Sequence, residues 1–71
     1  MKRDYKQSIK IEFKSLEDLF RQPCVIGLKK FQNADGGIVV ELLPHMMANN
    51  DTHAYRGQWL CERYDGKWFV V

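Results

Sequence analysis

The sequence has no long apolar run. Its densest stretch is Ile38–Val40, resumed at Leu42 and Leu43 beyond Glu41, far short of the ~20 residues that a membrane-spanning helix requires. Behind the charged opening MKRDYKQSIK no apolar segment follows of the kind a secretory signal contains. The expected setting is therefore the cytoplasm, with no membrane partner. Cysteine is scarce: Cys24 and Cys61 stand alone, 37 positions apart, which points to two reduced, buried thiols rather than a disulfide framework. No basic block is present either. The acids Asp4, Glu12, Glu17, Asp18, Glu41, Glu62 and Asp65 are interspersed with the bases, and the net charge is +2. The nearest approach to a basic patch, Lys2, Arg3, Lys6, Lys10 and Lys14, reads as a solvated end.

Motifs for catalysis are missing in the same way. Gly36-Gly37 joins two strands instead of opening a helix, so there is no phosphate-cradling loop. Cys24, His45, His53 and Cys61 lack the close pairs of a structural zinc site. Cys61 falls on an apolar strand face where a thiol is unreactive. Asp51 and His53 are polar neighbours in a loop, and Glu17 with Asp18 suits the first turn of a helix. No catalytic residue, metal ligand or cofactor is expected, and the protein reads as a non-enzyme.

What is present is the composition of a globular chain. Seventy-one residues, 45% hydrophobic and 28% charged, fit one domain spanning 1–71 with a small core. "SIKIEFK" alternates, placing Ile9, Ile11 and Phe13 on one side of a strand from Ser8 to Lys14. Ser15 then caps a short helix with Leu16, Leu19 and Phe20 along one apolar edge, and Pro23 ends it. Cys24–Gln32 and Ile38–Met46 read as two strands around an Asp35-Gly36 turn, with Lys30 facing Glu41, Phe31 facing Val40 and Leu28 facing Leu43. Pro44 places the second of these at a sheet edge or at its own end. "MMANNDTHAYRG" is the one long irregular stretch. The chain closes with strands Gln58–Tyr64 and Lys67–Val71 around Asp65-Gly66. The predicted fold is α+β, in the order β-α-β-β-β-β: a small curled antiparallel sheet of about five strands, half-barrel-like, with one short helix.

The last hairpin carries the functional expectation. A two-residue turn at Asp65-Gly66 puts Trp59, Cys61, Arg63, Trp68 and Val70 on one face, the better core candidate, with Arg63 covering Trp68. Leu60, Glu62, Tyr64, Lys67, Phe69 and Val71 then form a mixed face that leaves aromatic surface in water. By elimination of chemistry, the reading is a non-catalytic protein-binding module. Tyr55, Arg56, Tyr64, Lys67 and Phe69 are its contact residues, and its protein partner is unknown. The alternative is a single-stranded nucleic-acid-binding β-domain that stacks bases on aromatic rings, against which the near-neutral charge counts. The final strand, ending at Val71, offers an edge for a homodimer.

Gly57-Gln58-Trp59-Leu60 followed by Asp65-Gly66-Lys67-Trp68-Phe69-Val70 resembles the tail of small, mostly uncharacterised phage and prophage proteins. These often end in a Gly-Asp-Trp-Ile/Leu-Val strand and a Gly-Glu/Lys-aromatic strand. Gln58 here replaces the usual acid, and no proline precedes Gly57. The resemblance, confined to residues 57–70, implies an accessory protein of a mobile element and attaches no activity to it.

Overall fold

Residues 5–30 and 37–71 are described in a computed structural model of the chain. They form β1 (Gln7–Lys10), α1 (Leu16–Phe20), β2 (Val25–Lys30), β3 (Ile38–Leu42), β4 (His53–Tyr55), β5 (Trp59–Glu62) and β6 (Trp68–Val70), with 3-10 turns at Phe13–Ser15 and Pro44–Met46. Two antiparallel sheets result, ordered β1-β5-β6 and β2-β3-β4. The architecture is mostly sheet with one short helix. It has six strands in two sheets rather than about five in one. The additional strand is β4, inside the stretch that reads as a loop. Its alternation covers only three residues, with Ala54 buried between exposed His53 and Tyr55, too short to stand out among Asn, Asp and Thr.

The first strand ends earlier than its alternation suggests. Ile11 still pairs, donating to the Gln58 carbonyl at 2.8 Å and accepting from Gly57 N–H at 2.9 Å, but Phe13 has turned into the 3-10 helix. Its ring is exposed instead of joining Ile9 and Ile11, and the Arg56 guanidinium lies over it at 5.2 Å. That turn also removes the expected cap. Ser15 has φ −103° and ψ 3°, and its side chain bonds no helix N–H, because its backbone continues the turn where a cap needs an extended conformation. Of the helix edge, Leu19 is buried and Leu16 partly so, whereas Phe20 is exposed.

Strands β2 and β3 pair in a register three residues from the expected one: Leu28 faces Val40, Lys29 faces Val39 and Lys30 faces Ile38. The Asp35-Gly36 turn and Phe31 lie outside the described residues. Burial explains the choice. This register turns Leu28 to the same side as Ile38 and Val40, which are fully buried. A bulge between Val25 and Gly27 brings Val25 opposite Leu42 on that side as well, leaving the extra residue, Ile26, exposed. The hydrophobic set outweighs the Lys30–Glu41 pair, as a surface ion pair is worth about 0–1 kcal/mol and a buried aliphatic side chain about 1.5–3. Strand β3 stops at Leu42, and Pro44 opens the following 3-10 turn.

One hydrophobic cluster lies between the sheets. It joins Ile11, Leu60 and Trp68 of one to Ile38, Val40, Leu42 and Ala54 of the other, with Leu19, Cys24 and Met47 filling in. A backbone bridge between Met47 and Trp68 and the corner at Gly57 (φ 93°) connect the two. Among the described residues, no helix is long and apolar enough to cross a membrane.

Candidate binding face

The terminal hairpin is one residue out of step with a two-residue turn, and that decides which side chains meet solvent. Leu60 faces Val70, Cys61 faces Phe69 and Glu62 faces Trp68. Arg63 N–H donates to the Lys67 carbonyl at 2.7 Å, closing a three-residue loop of Tyr64, Asp65 and Gly66, with Gly66 at φ 90°. This is the turn-plus-bulge loop that places glycine at the positive-φ position. A shift of one exchanges faces. Trp68, 1% exposed, now shares the inner side with Leu60 and Val70, while Trp59, 41% exposed, lies on the outer side with Cys61, Phe69 and Val71. Trp59 therefore does not belong to the core, and Arg63 does not cover Trp68. Arg63 instead pairs with Asp65 at 3.0 Å.

The outer face of the β1-β5-β6 sheet is built by this register together with that of β1, where Ser8 faces Cys61 and Lys10 faces Trp59. Tyr5, Ser8, Trp59, Cys61 and Val71 enclose an open concavity of about 360 Å³. Beside it the Tyr5 and Phe69 rings meet edge to face, centroids 6.1 Å apart. A second hollow of about 380 Å³ lies between Phe69, Arg63, Ala48 and Asn49. Lys10 Nζ stands 5.9 Å from the centre of the Trp59 ring. Among the strand residues of this face the charged one is basic. The carboxylate of Glu62 is turned to the inner side, where it accepts from Gln7 Nε2 at 2.8 Å.

The expected contact residues divide between two ends of β5. Tyr55 and Arg56 precede it, at the β4–β5 corner, where Gln58 Oε1 accepts from Tyr55 N–H at 2.7 Å. Tyr64 follows it in the hairpin loop and Lys67 closes that loop. Tyr64 is 72% exposed. Lys67 reaches away from its own strand to donate to the His45 carbonyl at 2.7 Å. Four strand residues at ~3.4 Å each put more than about 10 Å between the two groups. Of the five, Phe69 alone is a strand residue of the outer face. Trp59 was missed as a contact residue because the assumed turn length turned it inward; Val71 already lay on the mixed face without being singled out, and Tyr5 precedes the alternation that marks β1.

The chemistry of the site is quiet. Both cysteines are free and buried. Burial pushes the Cys24 thiol up to about 11, partly offset by a backbone hydrogen bond and reinforced by the charge of Glu62. Burial likewise raises Cys61. Neither is a thiolate at neutral pH. Among the described residues no group of three or more His, Cys, Asp or Glu side chains converges on a common point. Compared with protein-family models, curated proteins and solved structures, the chain matches none.

Proposed function

We propose that this chain is a small non-catalytic protein-binding module that captures a partner on the outer face of the β1-β5-β6 sheet. One observation carries the reading. A half-exposed tryptophan, Tyr5 and Val71, 64% exposed, line a concavity of about 360 Å³, and the Tyr5–Phe69 ring pair stands beside it. Aromatic side chains anchor interfaces because they bury large area with few rotamers to freeze. In this reading the two sheets curl about their shared core as a half-barrel and hold the face rigid. The tail's likeness to phage and prophage accessory proteins supports an adaptor role within a mobile element. Panning a random peptide display library against the protein tests the proposal. Enriched peptides bind the unaltered protein, lose at least tenfold affinity with Trp59→Ala or Phe69→Ala, and keep it with Tyr55→Ala on the other sheet. Enriched peptides indifferent to Trp59 and Phe69 refute it.

A second reading, a platform for single-stranded nucleic acid, draws on Lys10 over Trp59 and on Arg63 sharing the face. It requires binding of a labelled oligothymidine that falls steeply with added salt. No binding at low salt removes it.

A further inference from the structure

The free edge of β1 borders the concavity, and the ladder shows which of its groups are available. Hydrogen bonds alternate residue by residue along an antiparallel pair. Ile11 bonds to the Gln58 and Gly57 backbone, so Gln7, Ile9 and Ile11 turn their amides toward β5. Ser8 and Lys10 turn theirs outward, and among the described residues their N–H and C=O groups have no partner. The other edges offer less: by the same ladder His53 on β4 and Val70 on β6 turn their groups outward, one open residue each among the described residues against two on β1. On β4, Gln58 accepts from Tyr55 N–H at 2.7 Å and its own N–H donates to the Tyr55 carbonyl at 3.0 Å. On β6, the Trp68 carbonyl accepts from Ala48 N–H at 2.7 Å. The edge of β2 carries the bulge and Lys29, devices that discourage pairing.

We infer that the partner docks by adding a strand to β1, and that it is an extended segment of another protein alternating apolar and acidic residues. The inference rests on the proposed protein-binding role and names its mode. An added strand satisfies the four outward groups of Ser8 and Lys10, the main source of affinity in strand addition. Its side chains alternate like those of β1. Those on the inner side cover Ile9, which is only partly buried, and favour an apolar residue. Those on the outer side meet Lys10, with no acid opposing it from β5, and favour a carboxylate. A second copy of this chain fits less well, because pairing β1 with β1 brings a second Lys10 to the outer side, where the first calls for a carboxylate.

The test uses a capped heptapeptide, TVDVDVT, with TVKVKVT as its charge-reversed control, and reads amide hydrogen exchange of the unaltered protein. Saturating TVDVDVT slows exchange at Ser8 and Lys10 at least tenfold, while the control does not. Undiminished exchange at both amides with millimolar TVDVDVT overturns the inference. So does protection that appears without peptide and grows with protein concentration, which assigns the edge to a second copy. If library-selected peptides bind through Trp59 yet leave Ser8 and Lys10 unprotected, the strand-addition mode falls and the binding face stands. If no peptide is selected, both fall.

Discussion

Exchanging the two tryptophans one at a time tests the register of the last hairpin. Trp68 is 1% exposed at the centre of the core and Trp59 is 41% exposed on the outer face. Truncating a buried tryptophan costs about 3–5 kcal/mol in lost transfer energy and residual cavity. At ~0.05–0.15 kcal/mol per residue, a chain of 71 residues has roughly 4–11 kcal/mol in total, so Trp68→Ala removes about a quarter of it at the least and most of it at the lower bound. Trp59→Ala opens no enclosed cavity and costs about 1–2 kcal/mol. Urea unfolding midpoints measure both. Fluorescence adds a reading free of the folding problem, using the milder phenylalanine exchanges. Trp59→Phe leaves Trp68 as the sole indole, with blue-shifted emission and little quenching by acrylamide. Trp68→Phe leaves Trp59, red-shifted and readily quenched. A two-residue turn would place both indoles on one face, so equal shielding in the two variants refutes the three-residue loop and the face built on it.

Glycine substitutions separate backbone strain from crowding. At Gly66, φ is 90° and an added Cβ meets nothing within 4 Å, so Gly66→Ala loses about 1–2 kcal/mol from strain alone. Gly27→Ala, whose Cβ would come 3.6 Å from Glu41 Oε1, shifts the urea midpoint little. Stability also depends on alkaline pH through Cys24. Its thiol rises from 9.0 to about 11 in the folded chain, so the fold binds a proton that the unfolded chain has released. The stabilisation is complete below about pH 9 and declines as pH rises toward 11, by roughly 2–3 kcal/mol. Urea midpoints measured across that range lose this component of their slope in Cys24→Ala. An unchanged slope contradicts the assignment.

The sequence made the existence of most elements legible. Ile9, the Leu16–Leu19 spacing and the β-branched run at Ile38 each lie in the element they suggest, and Ile11 continues the pairing of β1 just past its end. Register was less legible, since it depends on loop length and bulges. Asp65-Gly66 signals a hairpin equally well as the centre of a two-residue turn or as the end of a three-residue loop. That single residue moved Trp59 to the surface. The bulge at Ile26 left no mark in the pattern, since isoleucine suits a buried strand position as well as an exposed bulge. Of the expected contact residues, Phe69 reached the outer face, whereas Tyr55 and Arg56 were carried to a different corner because β4 was too short to be seen.

Amide chemical-shift mapping with a library-selected peptide shows whether partners bind on the outer face of the β1-β5-β6 sheet. Binding there concentrates shifts at Tyr5, Ser8, Lys10, Trp59, Cys61, Phe69 and Val71, with Val39, His53 and Tyr55 unmoved. Shifts concentrated at Val39, His53 and Tyr55, with the first group unmoved, contradict it.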